Sequence, residues 1–222
     1  MILAIKTAPN KTTLENARRA GLEAVELYLS RAILKNLPEI IAICRDFSFR
    51  YALHAPDDEY DPGKLHELAC AVNSGVVVFH NIYWEDEWER IVKAFGSSPV
   101  KLCIENTHSV HEPVKFMRRY GMGRCVDLEH LQMECGGVYE EGFLPLFRQA
   151  CHIHMTGYRP GRPLWHTHLY RSARHNQFLL RLIAQAGYRG LVVSEADLPF
   201  QTYDEFCKVK DFFLKFQKSM RI

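Results

Sequence analysis

Eight short apolar runs recur along the chain, and six of them end on a side chain that can hold a metal. The runs are Ile2–Ile5, Ala24–Tyr28, Tyr51–His54, Val76–His80, Lys101–Glu105, Arg124–Asp127, Cys151–His154 and Leu191–Glu195. The six terminal ligands are His54, His80, Glu105, Asp127, His154 and Glu195. They come from distant parts of the chain but share one structural address, the point where a buried strand runs out. A fold that gathers strand ends at one mouth brings them together.

Between the runs lie stretches with apolar residues at helical spacing. Thr13–Ala20 follows a Thr/Thr pair read as its cap, and Leu65–Val72, Trp88–Ala94 and Phe178–Ala186 are others, the last stopped by Gly187. Continuous apolar strands followed by helices predict a parallel sheet closed into a single (β/α)8 barrel. An open doubly wound sheet is the alternative, but Thr7-Ala-Pro-Asn-Lys after the first run contains no glycine-rich phosphate loop. The chain has 222 residues, enough for one barrel with short loops, and no composition break divides residues 1–222. Its longest irregular segment is Gly157–Asn176.

A net charge of +2 provides no global field for a polyanion. The seven cysteines are scattered and odd in number, which suits a reducing compartment, and a cytoplasmic location is expected. The N-terminal Met-Ile-Leu-Ala-Ile-Lys reads as a strand rather than a signal peptide, and no membrane span is expected.

In a barrel, strand ends meet at the C-terminal face. Glu105, Asp127 and Glu195 would converge there with His154, and crowded carboxylates repel unless a cation holds them. Imidazole with carboxylate suits zinc or manganese better than calcium. His54 and His80 extend the set, as do His130, three residues after Asp127, and the His166/His168 pair. Taken singly, each such histidine reads more naturally as a hydrogen-bonded rim residue; the shared register is what argues for ligation. His66, His108, His111 and His175 lie in helix, turn or loop contexts and are set aside. His152 is expected to pack outward against a helix.

At these residues the chain resembles the xylose-isomerase-like barrel superfamily, and within it the apurinic-endonuclease family 2 branch typified by endonuclease IV. The matching words, in order, are His54-Ala-Pro, Phe79-His80, Ile104-Glu105-Asn-Thr, Asp127-Leu-Glu-His130, His152-Ile-His154, His166-Thr-His168 and Ser194-Glu195. The resemblance implies a site of up to three zinc ions. His54, His80 and Glu105 would hold one ion, and Glu105 would bridge to a second completed by Asp127, His154 and Glu195. His130, His166 and His168 would hold the third. It further implies hydrolysis of a phosphodiester by activated water. His166 stands where the family has an aspartate, and the chain has little room for the DNA-entering loops of longer relatives. A small or nucleotide-like phosphorylated substrate is therefore expected ahead of DNA.

The same superfamily holds sugar and sugar-phosphate isomerases and epimerases, for which Glu105, Asp127, His154 and Glu195 would bind one manganese or magnesium ion. Glu105 and Glu195 would then move a proton through an enediolate. A barrel that binds without turnover is a third reading. Trp84 after the fourth run, and Arg159 and Trp165 in the seventh loop, are candidate substrate contacts, equally readable as rim packing.

Overall fold

The computed structural model describes residues 1–134, 141–157 and 165–220. Its eight strands are β1 Ile2–Thr7, β2 Ala24–Tyr28, β3 Arg50–His54, β4 Val76–Phe79, β5 Lys101–Glu105, β6 Gly123–Asp127, β7 Ala150–Met155 and β8 Leu191–Ser194. Each pairs in parallel with its neighbour and β8 returns to β1, so the sheet closes in chain order. The outer layer is built of α1 Lys11–Arg19, α2 Arg31–Lys35, α3 Leu37–Arg45, α4 Pro62–Ala71, α5 Glu85–Phe95, α6 Glu112–Tyr120, α7 Leu128–Glu134, α8 Leu144–Gln149, α9 Ala173–Gln185 and α10 Tyr203–Ser219. This is the expected (β/α)8 barrel. No helix among the described residues is long and apolar enough to cross a membrane.

Local chemistry sets the element ends. Asn10, rather than a threonine, caps α1: its side chain accepts from the Thr13 amide at 2.9 Å. Asp61 caps α4 and Thr202 caps α10 in the same way. The helices bury one stripe each against the strands. In α5 the stripe is Trp88, Ile91 and Phe95, and in α10 it runs from Phe206 to Phe216. Each large side chain so buried contributes about 1.5–3 kcal/mol against exposure.

The barrel interior is a separate and smaller core. Ala4, Ala24 and Val193 fill one part of its floor, and Val78, Cys103 and Cys125 the other. Side chains alternate across a strand, so two residues further along each strand the inward positions become Lys6, Glu26, His80, Glu105, Asp127 and Glu195. The interior is apolar below and ionisable above.

One irregularity tunes this register. Arg124 pairs with Ala150 while Cys125 pairs with His152, so Cys151 is an extra residue in β7. Gly123 makes room beside it: a Cβ there would stand 2.7 Å from the Cys151 sulphur and 2.9 Å from that of Cys103. After the bulge, His152 and His154 share the inward face. The expectation that His152 packs outward is thereby corrected, because residues two apart on a strand point the same way.

Candidate metal centre

Glu105 is the hub of the barrel mouth. Its Oε2 lies 3.1 Å from His154 Nδ1, 3.3 Å from His54 Nε2 and 3.6 Å from His80 Nε2. Its Oε1 lies 3.8 Å from His130 Nε2. His54 and Glu105 are the last residues of β3 and β5, whereas His80 sits one residue beyond β4. Glu195 follows β8 in the same way, and its Oε1 reaches His154 Nδ1 at 2.9 Å. Asp127 Oδ2 is 3.9 Å from that nitrogen. Asp127 also accepts from the His130 amide at 2.7 Å, which ties the start of α7 to the mouth and swings His130 over the carboxylates.

Each of three histidines has one nitrogen tied off by an acceptor and the other turned onto Glu105. His54 Nδ1 donates to the Ala55 carbonyl at 3.2 Å, and His80 Nδ1 donates to Asp57 at 2.8 Å. His154 Nε2 donates to Glu26 Oε2 at 3.1 Å. These contacts turn the inner nitrogens of all three rings onto Glu105; each would offer a lone pair there once its proton is given up. Outer acceptors of this kind accompany metal-ligating histidines.

Two further features fit a cation. His154 Nδ1 is buried and makes no hydrogen bond, although three carboxylate oxygens stand around it off its axis. Asp127 is pushed well above the usual carboxylate range by burial and by the charges of Glu105 and Glu195. Glu105 moves the opposite way: burial opposes its charge, but His154, His54 and His80 outweigh it and hold it low. His54, His80 and Glu105 have ligand atoms within 4.8 Å of one another, as do Asp127, His154 and Glu195, and Glu105, Asp127 and His130.

The remaining expected site residues fall elsewhere. His168 is not brought to the cluster. Gly157 donates to the Thr167 carbonyl at 2.6 Å, which folds that segment back beside β7. His168 Nε2 then donates to the Phe200 carbonyl at 3.0 Å, and Nδ1 meets the Ser194 hydroxyl at 2.9 Å, so both nitrogens are committed. His166 lines the mouth with positive φ (24°), and its Nδ1 is 3.5 Å from Asp197. The third ligand set is therefore not assembled. Trp84 is 80% exposed at the start of α5. Trp165 lines a small gap with Leu128, Glu129 and Leu179 rather than the mouth. Arg159 lies outside the described residues.

Glu26 and Lys6 were not anticipated. Glu26 is fully buried below the mouth, and its Oε2 also accepts from His152 Nε2 at 2.6 Å. Lys6 Nζ stands 2.6 Å from Glu195. The signal that could have found them is a charged residue inside an apolar run, Glu in Ala-Val-Glu-Leu-Tyr and Lys closing Ile-Leu-Ala-Ile-Lys.

The mouth opens into a cavity of about 530 Å³ whose walls include Lys6, Tyr28, His80, Glu105, His130 and Glu195. A larger one of about 750 Å³ lies on the flank against α2, α4 and α5 and contains none of the ligand residues. The smaller one holds candidate ligands.

No protein-family profile and no curated protein matches the chain. Several solved structures are similar in fold. The TTHB071 protein from Thermus thermophilus, from a crystal soaked with ZnCl2, is 19% identical over 97% of this chain and 99% of its own, with a TM-score of 0.68. SacUVDE is 15% identical over 94% of this chain and 85% of its own, TM-score 0.61. Phosphoribosyl anthranilate isomerase from Thermotoga maritima is 11% identical over 97% of this chain and 100% of its own, TM-score 0.57. What the chain has in common with all three, at these identities, is the (β/α)8 barrel.

Proposed function

We propose that this protein is a metal-dependent hydrolase of the endonuclease IV-like kind, acting on a phosphodiester in a small or nucleotide-like phosphorylated substrate. The observation that carries this reading is the turning of three histidine ring nitrogens onto one carboxylate, Glu105. His54, His80 and Glu105 would hold one zinc ion and Asp127, His154 and Glu195 a second, with Glu105 between them. Bound there, the ions would supply an activated water near neutral pH and stabilise charge on the phosphoryl oxygens. Asp57, Glu26 and the Ala55 carbonyl keep the three rings in the tautomers that ligation needs. His130, 3.8 Å from Glu105 and on the cavity wall, is placed to meet either substrate or metal.

The isomerase reading needs Glu105 and Glu195 free to carry protons. Here Glu105 faces three imidazoles, and Glu195 faces His154 and Lys6. That engagement favours hydrolysis. The six described cysteines are all free thiols, which suits the expected cytoplasmic setting. The deciding experiment assays zinc-loaded protein on bis(p-nitrophenyl) phosphate beside a panel of aldoses and ketoses with manganese. Release of nitrophenol that Glu105→Gln abolishes supports the hydrolase. Sugar interconversion without nitrophenol release contradicts it.

A further inference from the structure

Lys6 points inward from β1 at the level of the carboxylates. Its ammonium is 2.6 Å from Glu195 Oε1 and 3.7 Å from Glu26 Oε1, and its side chain is 15% exposed. That exposure opens into the mouth cavity, where Lys6 is the single lysine or arginine lining the wall among the described residues. An ammonium has no lone pair, which removes nucleophilic or Schiff-base roles and leaves that of a fixed cation with three donors. Glu195 takes one donor, and Glu26 lies beyond hydrogen-bonding distance. The Glu195 oxygen is also the one that faces His154 Nδ1 at 2.9 Å. A cation held by His154 would compete with Lys6 for that oxygen and leave the ammonium donors for another acceptor in the cavity.

We propose that Lys6 is a substrate-contacting residue that binds an anionic phosphoryl oxygen at the cavity floor. This deepens the hydrolase reading and rests on it. An ammonium placed there selects substrates that present a phosphate oxygen beside the carboxylate cluster, and it selects against neutral sugars.

The test is calorimetric titration of zinc-loaded protein with inorganic phosphate, in the wild type, Lys6→Gln and Lys6→Arg, with zinc content measured on the same samples. A hydrogen bond to a charged group predicts that Lys6→Gln binds phosphate about tenfold or more weakly while keeping its zinc. Lys6→Arg, which keeps the charge, is expected within about threefold of wild type. Unchanged phosphate affinity in Lys6→Gln overturns the proposal, as does an arginine variant as weak as the glutamine one. Loss of zinc from Lys6→Gln also overturns it, by making Lys6 a support of the ligands instead. A wild-type protein that takes up no zinc contradicts the hydrolase reading separately, and the phosphate comparison on zinc-free protein then still decides the role of Lys6.

Discussion

His154 and Glu26 meet inside the barrel, Nε2 to Oε2 at 3.1 Å, and this contact directs the other His154 nitrogen at the mouth. Glu26 is completely buried and holds His152 by the same oxygen. In the proposed metal centre it would act through His154 rather than by touching an ion. Replacing Glu26 with leucine frees His154 to change tautomer and leaves two buried N–H groups without an acceptor. Zinc affinity, read by competition with a chromophoric chelator, is expected to fall about 10–100-fold, the cost usual for losing an outer partner of a ligating histidine. Glu26→Gln keeps an acceptor oxygen and should fall between. Equal affinity in all three proteins would remove Glu26 from the account.

Glu105 faces four histidines and stands in both ligand groups that share it with His54 and Asp127. Glu105→Gln removes the charge at the centre of the set. Its zinc affinity should fall by more than the roughly 10–100-fold expected of an outer partner, and hydrolysis should vanish while the far-ultraviolet dichroism stays that of a folded barrel. Retention of full zinc content would show that the hub is misassigned.

His168 is expected to matter for stability and not for metal. Replacing it with alanine strands the Phe200 carbonyl and the Ser194 hydroxyl, at about 1–3 kcal/mol for buried polar groups left unpaired. Urea denaturation should report that loss while elemental analysis finds the same zinc content as wild type. A drop in zinc with unchanged stability would restore His168 as a ligand.

The same residue gives a pH signature. Burial lowers the His168 pKa from 6.5 to about 4, with the Phe200 contact opposing. The folded state therefore keeps a neutral ring while the unfolded chain binds a proton below its own pKa. The His168 contribution is complete above pH 6.5 and is lost as pH falls towards 4, at roughly 1.4 kcal/mol per unit within that window. Wild type should lose stability more steeply than His168→Gln between these limits. Parallel curves for the two proteins would contradict the burial of a neutral ring.

The barrel was legible because its strands are buried on both faces and read as apolar runs, with a helix stripe after most of them. The gathering of six candidate ligands at the mouth was legible because a polar residue closing such a run has one place to go in a closed parallel sheet. Glu26 and Lys6 were not, since a charge within an apolar run resembles an exposed position until the barrel's inward parity is known. His152 was readable from the sequence, because it stands two residues before the inward His154 and so shares its face. The place of His168 depends on the Gly157–Thr167 contact and the Phe200 carbonyl, neither of them local to the His166-Thr-His168 word.

The most direct test of the metal centre is elemental analysis of protein purified without chelator or affinity metal, in the wild type and Glu105→Gln. The two ion sites proposed, at His54, His80 and Glu105 and at Asp127, His154 and Glu195, predict at least two zinc ions per chain in the wild type and a clear loss in the variant. One ion or none in the wild type, or equal content in both proteins, would contradict the paired-ion centre on which the hydrolase reading depends.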